Sequence, residues 1–366
     1  MMKQVSIDVD PSYEVKLAHG IIHQTGAYIQ SLYNGDCQAK IAIISDETVA
    51  SFHAQTLVES LDQVDLTAQI FTVPAGEASK SYQQLGALSS DLIQAGYDRS
   101  SLIIALGGGV VGDLAGFLAA IFYRGIPFVQ IPTTIVSQVD SSVGGKTGIN
   151  TPEGKNLIGA FHHPKLVLID PDLLQTLESR EYLEGFAEVV KHAAIADPQM
   201  LDELLELEPH SKDVTVDILT NNIEIKARIV EADEKETSGQ RAFLNFGHTI
   251  GHAIEASVPY GELLHGEAIA IGMRAALWLS VNKTGLAQAE ADKVLAVLAH
   301  FNLETILPEK LNNDASKALI LKKLAYDKKF QAGKINFVLL EELGKPVLST
   351  AVSIEDIQQA INYISQ

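Results

Sequence analysis

The fold is decided by the stretch Ser101-Leu102-Ile103-Ile104-Ala105-Leu106-Gly107-Gly108-Gly109-Val110-Val111-Gly112-Asp113, where a short apolar run meets a cluster of glycines. The apolar run predicts a buried β-strand, and residues 113–123 after it predict a helix. Glycines at such a junction let the backbone approach a ligand closely, and a helix N-terminus offers free N–H groups to a phosphate. Gly107, Gly109 and Gly112 also fit the G-x-G-x-x-G pattern of dinucleotide-binding proteins. The stretch therefore predicts a nucleotide site; a glycine turn that serves only helix packing is the alternative.

This glycine loop departs from the usual dinucleotide-binding pattern. It follows a late strand, and no Asp or Glu lies between residues 114 and 139 to hold a ribose. Asp46, at the end of an earlier apolar run, is the candidate for that contact. Gly145-Lys146-Thr147 resembles the end of an ATP-binding P-loop, but Asp140 stands where that motif requires glycine. The Gly-, Ser- and Lys-rich segment Asp140–Asn156 predicts a long loop that lines a site.

Around this stretch, strands and helices alternate through the first half of the chain. The predicted strands are Ile41–Ser45, Ile70–Val73, Leu102–Leu106, Phe128–Ile131 and Leu166–Ile169. Helical patterns such as Ser79–Ala95 lie between them. This alternation predicts a mainly parallel sheet covered on both faces, with ligands at the carboxyl ends of its strands.

The second half of the chain has a different periodicity. Its apolar residues recur at three- and four-residue spacing, which predicts helices over Tyr182–Ala196, Val214–Ala232, Phe243–Ala256 and Gly266–Asn282. Only Ile335–Leu340 and Pro346–Leu348 resemble strands, and they predict one small hairpin. We therefore predict an α/β nucleotide-binding domain over residues 1–176 and a mainly helical domain over residues 177–366.

Composition excludes several classes of function. The chain has 366 residues, with 27 Lys and Arg against 46 Asp and Glu, and its net charge of −19 argues against nucleic acid or an anionic membrane as a partner. Asp113 and the glycines interrupt the most apolar stretch, Leu102–Tyr123, so we expect no membrane span. Cys37 is the only cysteine, which excludes an internal disulfide and favours the reducing cytoplasm.

The helical half carries a candidate metal site. Glu188 has apolar neighbours in Ala187-Glu188-Val189-Val190, where a lone carboxylate would be costly to bury. His248 and His252 are four residues apart, which places both on one helix face, and His265 begins a later apolar helix. One carboxylate and two imidazoles form a ligand set suited to catalytic zinc. Spacing leaves other pairings open, including Glu188 with His192, and any single histidine is more often a structural residue.

Together these motifs resemble the 3-dehydroquinate synthase family over essentially the whole chain. The resemblance rests on Pro74–Lys80, Gly107–Asp113, Pro132–Thr134, Gln138–Lys146, Gly154–Asn156, Ala187–Lys191, Arg241–His252 and His265–Glu267. It implies an NAD-binding α/β domain followed by a helical metal-binding domain. It also implies a lyase of the shikimate pathway of aromatic amino acid biosynthesis. Such an enzyme converts the sugar phosphate 3-deoxy-D-arabino-heptulosonate 7-phosphate to 3-dehydroquinate and phosphate, with catalytic NAD and Zn²⁺ or Co²⁺.

The resemblance also assigns roles to particular residues. It implies that Glu188, His248 and His265 hold the metal. The NAD contacts that it implies are Asp46, Glu77, Lys80, Gly108, Gly109, Asp113, Thr133, Thr134, Asp140, Lys146 and Lys155. The substrate contacts that it implies are Arg124, Lys146, Asn156, Lys191, Lys226, Arg241, Asn245, His252 and one lysine of Asp327-Lys328-Lys329, for which we choose Lys328. A homodimer is expected on the same ground, and the single cysteine places it in the cytoplasm.

Three other functions compete with this interpretation. Polyol dehydrogenases of the glycerol dehydrogenase type share the glycine loop and the metal-binding helices, but they do not need a cluster of cations around a phosphate. Other sugar phosphate cyclases tend to lose the positions of Arg241 and Asn245, both of which are present here. A catalytically silent binding protein is the third, although every polar position named above carries a residue competent for its role.

Overall fold

A computed structural model describes residues 2–259, 261–326, 330–331 and 334–366. The chain divides into two compact units. The first comprises Met1–Leu177 and Val214–Ala227, and the second comprises Glu178–Asp213 and Arg228–Gln366. The first unit thus includes a segment, Val214–Ala227, that the sequence analysis assigned to the second domain.

The first unit contains most of the strands. In chain order, the strands are β1 (Lys3–Ile7), β2 (Tyr13–Leu17), β3 (Ile41–Asp46), β4 (Ala68–Val73), β5 (Leu102–Gly107), β6 (Phe128–Pro132), β7 (Lys146–Thr151), β8 (Gly154–Phe161), β9 (Leu166–Ile169), β10 (Phe330–Gln331), β11 (Lys334–Ile335), β12 (Phe337–Glu342) and β13 (Lys345–Ser349).

Helices connect the strands and fill the second unit. They are α1 (Thr25–Leu32), α2 (Glu47–Val49), α3 (Gln55–Asp62), α4 (Tyr82–Gln94), α5 (Gly109–Ile121), α6 (Ser179–Glu184), α7 (Phe186–Ala196), α8 (Met200–Leu205), α9 (Val216–Ala232), α10 (His248–Glu255), α11 (His265–Lys283), α12 (Gln288–His300), α13 (Asp314–Tyr326) and α14 (Ile354–Tyr363). Short 3₁₀ helices cover Ile21–Gln24, Glu77–Ser79, Phe122–Arg124, Pro171–Thr176, Gln240–Asn245 and Glu309–Leu311, and π-helical turns cover Ala50–Ala54 and Ser137–Ser141.

A seven-stranded sheet organises the first unit, in the order β1-β2-β9-β6-β5-β3-β4. Every neighbouring pair is parallel except β1 with β2, which confirms the predicted mainly parallel sheet. Alternate residues of β3 serve opposite faces: Ile41 and Ile43 pack into one apolar cluster, and Ala42 and Ile44 into the other. Because both faces are covered, the central strands are apolar along their length. Their carboxyl ends meet at one edge, as expected for a ligand site.

Three antiparallel strand pairs were not predicted, one of which is the short pair β10–β11. The polar, alternating N-terminus forms β1 and β2, which extend the sheet at its edge. The segment Asp140–Asn156, expected to be a loop, instead ends a π-helical turn and continues into the antiparallel pair β7–β8. The loop was predicted from the glycine-rich composition, but glycine here allows close strand packing, with Gly148 in β7 and Gly159 in β8. A Cβ atom on Gly159 would lie 2.1 Å from the carbonyl oxygen of Thr147.

Glycines also allow the helices of the second unit to pack closely. A Cβ atom on Gly272 of α11 would lie 2.1 Å from the carbonyl oxygen of Gly247, the residue before α10. A Cβ atom on Gly266 would lie 1.9 Å from the carbonyl oxygen of Glu184. The helix predicted over Tyr182–Ala196 is divided at Gly185 into α6 and α7. The one predicted over Phe243–Ala256 is a 3₁₀ turn followed by α10.

The predicted hairpin near the C-terminus is confirmed by the antiparallel pair β12–β13. Over the described parts of the chain, no helix has both the length and the apolar character that crossing a membrane requires.

Candidate active site

The glycine turn ends β5 and begins α5, four residues earlier than predicted for this helix. Gly108 has an extended backbone between them, and none of the described side chains caps the helix N-terminus. A Cβ atom on Gly107 would lie 2.7 Å from Cβ of Val111, so packing alone requires that glycine. Gly108 and Gly109 remain partly exposed. The turn therefore serves packing and also leaves helix N–H groups available to an anion.

Lys80 is the centre of a polar network that includes Asp113 of α5. Its Nζ donates to Oδ2 of Asp113 at 2.7 Å and to Oδ1 of Asn156 at 2.5 Å, and it lies 3.7 Å from Oε1 of Glu77. Lys80 is only 4% exposed. Burial lowers the pKa of Lys80, but the carboxylates of Asp113 and Glu77 outweigh burial and raise that pKa above its usual range. The structure thus brings together four residues that the resemblance assigns to NAD and substrate.

Asn150 completes this network and was not identified from the sequence. Its Nδ2 donates to Oε1 of Glu77 at 2.7 Å, its Oδ1 accepts from the backbone N–H of Asn156 at 2.9 Å, and its own N–H donates to the carbonyl of Lys80 at 2.8 Å. No sequence signal distinguishes it, because an asparagine in a predicted glycine-rich loop has no expected partner.

Three of the expected NAD contacts lie at the carboxyl ends of β3 and β6. Oδ1 of Asp46 accepts the N–H groups of Thr48 and Val49, each at 3.0 Å, so this carboxylate caps α2 through one oxygen. Thr133 is 3% exposed, and its Oγ1 has no hydrogen-bond partner among the described residues. A buried hydroxyl without a partner is uncommon and indicates a site that a ligand completes. Thr134 Oγ1 lies 2.9 Å from Oγ of Ser137.

The expected substrate cations of the first unit differ in their surroundings. Lys226, 5% exposed, donates to Oδ1 of Asp140 at 2.7 Å and to the carbonyl oxygen of the same residue. Arg124, Lys146 and Lys155 are exposed, and Arg124 has a left-handed backbone with φ of 71°. Lys328, the remaining expected cation, lies outside the described residues.

Three helices of the second unit bring the predicted metal ligands together. Glu188 lies in the first turn of α7, and His248 and His265 are the first residues of α10 and α11. Oε1 of Glu188 lies 3.3 Å from Nε2 of His248 and 3.3 Å from Nε2 of His265. Glu188 is completely buried, and this Oε1 accepts no hydrogen bond from any described residue.

Hydrogen bonds on the far side of each imidazole aim Nε2 at Glu188. Nδ1 of His248 lies 3.0 Å from the carbonyl oxygen of Phe246, and Nδ1 of His265 lies 3.3 Å from Oε2 of Glu255. Donation from Nδ1 to an oxygen leaves Nε2 as the atom that can bind a metal. Glu255 was not predicted, since its partner His265 lies in the next helix and helical spacing does not reveal contacts between helices.

The electrostatics of the cluster call for a cation. Burial raises the pKa of Glu188, but Lys191 and the two imidazoles outweigh it and hold that pKa well below its usual range. Burial lowers the pKa of His248 and keeps this imidazole neutral. Burial also lowers the pKa of His265, but Glu188 and Glu255 outweigh it and raise that pKa to about 10. A divalent ion would replace the proton of His265 and bind the buried Oε1 of Glu188 directly, so the residues fit a metal.

His252 gives the site a second geometric possibility. The ligand atoms of His248, His252 and His265 lie within 4.8 Å of one another, so a set of three histidines could also hold an ion. The buried carboxylate favours the set that contains Glu188, because a divalent ion would neutralise it. Lys191, 1% exposed, donates to Oε2 of the same carboxylate, which leaves Oε1 for the metal.

A single carboxylate organises the loop before α10. Asp233 accepts the N–H groups of Thr237, Ser238, Gly239 and Arg241 at distances from 2.7 to 3.2 Å. Arg241 is 3% exposed, and its Nη1 donates to the carbonyl oxygen of residue 234 at 2.7 Å. Asn245, the other expected substrate contact here, ends the 3₁₀ turn at partial exposure. The run Thr237-Ser238-Gly239, which begins four residues after Asp233, is a turn signal that could have drawn attention to this loop.

Comparisons with known proteins cover both units. Residues 70–184 match the family model described as 3-dehydroquinate synthase N-terminal, and residues 185–330 match 3-dehydroquinate synthase C-terminal. A 3-dehydroquinate synthase of Methylacidiphilum infernorum is 42% identical over 94% of this chain and 93% of its own length.

Solved structures are similar across the same extent. A 2-epi-5-epi-valiolone synthase from Streptomyces hygroscopicus, with NAD⁺ and Zn²⁺ bound, has a TM-score of 0.85 and 26% identity, covering 96% of each chain. A 2-deoxy-scyllo-inosose synthase complexed with carbaglucose-6-phosphate, NAD⁺ and Co²⁺ has a TM-score of 0.84 and 25% identity, covering 99% of this chain and 100% of its own.

Proposed function

The chain belongs to the 3-dehydroquinate synthase family, and we propose which of its residues carry out the reaction of that family. The reaction converts 3-deoxy-D-arabino-heptulosonate 7-phosphate into 3-dehydroquinate and phosphate in the shikimate pathway. This chain is a carbon–oxygen lyase that performs it with NAD and a divalent metal. The match to 3-dehydroquinate synthases over most of the chain supports this reaction and not that of a polyol dehydrogenase or of another sugar phosphate cyclase.

We propose that Glu188, His248 and His265 hold the metal. The observation that carries this assignment is the buried Oε1 of Glu188, 3.3 Å from both Nε2 atoms and without a hydrogen-bond partner among the described residues. A metal held by these three residues would supply polarisation of the substrate, and bound NAD would supply a reversible hydride transfer with no net oxidation over the cycle. Lys191 holds the second carboxylate oxygen, and His252, whose ring centroid lies 5.0 Å from that of His248, would exchange a proton with the substrate.

The NAD contacts are proposed at the carboxyl edge of the sheet. The N-terminus of α5 offers N–H groups of Gly108 and Gly109 to the pyrophosphate. Thr133 supplies a buried hydroxyl, and the oxygen of Asp46 that is not used for capping would accept from a ribose hydroxyl. The other proposed contacts are Glu77, Lys80, Asp113, Thr134, Asp140, Lys146 and Lys155. Lys80 pairs with both Asp113 and Glu77 and offsets one of their two negative charges, which reduces their repulsion toward a dinucleotide.

The substrate contacts are proposed from residues that can neutralise a phosphate and a carboxylate. Arginine and lysine bind such oxyanions by charge-assisted hydrogen bonds. The proposed contacts are Arg124, Lys146, Asn156, Lys191, Lys226, Arg241, Asn245, His252 and Lys328. Arg241 and Lys226 are almost fully buried, which strengthens their interaction with an anion.

We also propose a cytoplasmic homodimer. Strand β8 pairs with β7 along one edge, and no other strand in the described ranges pairs with it. The exposed apolar side chains of Leu157, Ile158 and Phe161 lie along this strand. A second copy would cover an apolar edge that is otherwise open to aggregation.

One assay tests the proposed function. The protein is incubated with the heptulosonate phosphate, substoichiometric NAD and Zn²⁺ or Co²⁺, and phosphate and 3-dehydroquinate are measured together. We expect both products in equal amounts, many turnovers for each NAD, and no accumulation of NADH. Stoichiometric NADH would identify an ordinary dehydrogenase and would contradict the proposal.

A further inference from the structure

The β7–β8 hairpin contains an irregularity that displaces the site residues on β8. Ile149 pairs with Ile158 and Thr151 pairs with Gly154, so the single residue Asn150 faces three residues, 155–157. Such bulges re-aim side chains beside functional sites. Asn156, in the middle of the bulge, has a left-handed backbone with φ of 54°, which asparagine tolerates better than most residues.

The side chain of Asn150 holds this bulge in place. Its Oδ1 accepts the backbone N–H of Asn156 at 2.9 Å, and its Nδ2 donates to Oε1 of Glu77 at 2.7 Å. Lys80 closes the ring, since its Nζ donates to Oδ1 of Asn156 and its carbonyl oxygen accepts the N–H of Asn150. The expected NAD contacts Glu77 and Lys80 are therefore tied to the expected substrate contact Asn156 through one amide.

We propose that Asn150 is a positioning residue that couples the binding of NAD to the binding of the sugar phosphate. This inference rests on the proposed function, in which Glu77 contacts NAD and Asn156 contacts the substrate. A contact between NAD and Glu77 would act through the amide of Asn150 on the backbone of Asn156, so that NAD binding favours the arrangement of Asn156 that the substrate requires. The coupling is reciprocal, because the substrate improves NAD binding by the same factor.

Only an amide satisfies both neighbours at this length. It presents a donor to a carboxylate and an acceptor to an N–H group. Asn150→Asp would retain the oxygen that accepts the N–H of Asn156. It would replace the Nδ2 donor with a carboxylate oxygen, which the carboxylate of Glu77 would repel. Combining Asn150→Asp with Glu77→Gln would restore the hydrogen bond with donor and acceptor exchanged, at unchanged total charge.

The experiment compares wild type, Asn150→Asp, Glu77→Gln, the double variant and the control Asn34→Asp. Asn34 is an exposed residue with φ of 55°, and its replacement adds the same charge elsewhere in the first unit. The Kd for NAD is measured by calorimetry without substrate and again with a saturating, non-reacting phosphonate analogue of the substrate. The ratio of the two values gives the coupling, and Asn150→Asp should bring that ratio close to one. The kcat and KM for the heptulosonate phosphate are measured at saturating NAD. The urea midpoint of each variant reports stability.

We expect Asn150→Asp to raise both the Kd for NAD and the KM about tenfold, with a smaller effect on kcat, because a charge-assisted hydrogen bond becomes a repulsion. The double variant should return the Kd for NAD to within about threefold of the Glu77→Gln value. Asn34→Asp should match wild type. If Asn150→Asp does not fold, Asn150→Ser takes its place, since serine is too short to reach both partners, and the same rises in Kd and KM are expected.

Two results would overturn the inference. One is an Asn150 variant with a lowered urea midpoint but wild-type Kd and KM, which would reduce the residue to a structural role. The other is a double variant whose Kd for NAD exceeds that of Glu77→Gln by the same factor as Asn150→Asp exceeds wild type, since additive effects would mean that the two side chains do not interact. Failure of the proposed function is distinguishable, because it would show as absent turnover in wild type, whereas the NAD measurements need no substrate.

Discussion

Replacing Gly266 with alanine should destroy the metal centre without touching a ligand. Gly266 follows His265 at the start of α11, and a Cβ atom there would lie 1.9 Å from the carbonyl oxygen of Glu184. Real Cβ atoms essentially never approach closer than 3.0 Å, so the two backbones must separate by about 1.1 Å. Metal sites tolerate ligand displacements of about 0.2 Å. The imidazole of His265 moves with the backbone of α11 and can no longer share an ion with Glu188.

The expected effect of Gly266→Ala is a Kd for Zn²⁺ raised about 100-fold or more, which exceeds the usual effect of residues outside the ligand set. Overpacking should also lower the free energy of unfolding by about 1–3 kcal/mol. The Kd is measured by competition with a chromophoric chelator, and circular dichroism confirms that the variant is folded.

Gly86→Ala is the matched control for this prediction. Gly86 lies inside α4, and nothing lies within 4 Å of a Cβ atom built on it. We expect an unchanged Kd for Zn²⁺ and a gain in stability of up to about 1 kcal/mol, since alanine favours helix interiors. A folded Gly266→Ala protein that binds Zn²⁺ as tightly as wild type would refute the packing argument.

Three other predictions concern the second unit. Glu188→Gln should lose metal and activity, whereas His192→Gln should retain both. The metal content of each variant is measured after gel filtration, and full occupancy in Glu188→Gln would reject the ligand set. The pKa of His265 is raised to about 10, so this imidazole is protonated at pH 7 when no metal is bound. Zn²⁺ binding should therefore release about one proton, and the affinity for Zn²⁺ should rise about tenfold per pH unit from about pH 6 to 8. Calorimetry in buffers of different ionisation enthalpy measures that release, and equal heats in all buffers would contradict it. Asp233→Asn should raise the substrate KM about tenfold through the loop that carries Arg241, with the Kd for Zn²⁺ unchanged; a wild-type KM would show that the loop does not depend on this carboxylate.

Local patterns were sufficient to predict the central sheet. The apolar runs that became β3, β5, β6 and β9 are buried on both faces, so they contain little besides apolar residues. The glycine turn could also be predicted from local sequence, because close packing against Val111 leaves no room for a side chain at Gly107 and so requires glycine there. Hairpins β1–β2 and β7–β8 were not predicted, because a partly exposed strand mixes polar and apolar residues as a loop does.

The site residues that could be predicted are those whose side chains are unusual for their sequence neighbours. Glu188 attracted attention as a carboxylate among apolar residues, and the structure places His248 and His265 on the same oxygen. Asn150, Asp233 and Glu255 were missed because each is an ordinary polar residue whose importance arises from partners in other elements. Spacing along one chain segment cannot reveal such contacts.

The assignment of the metal ligands is tested most directly by anomalous diffraction at the zinc edge from crystals grown with Zn²⁺. We expect one peak at about 2.0–2.2 Å from Oε1 of Glu188 and from Nε2 of His248 and His265. His252 should lie outside bonding distance. A peak held by His248, His252 and His265 without Glu188 would show that the carboxylate is not a ligand.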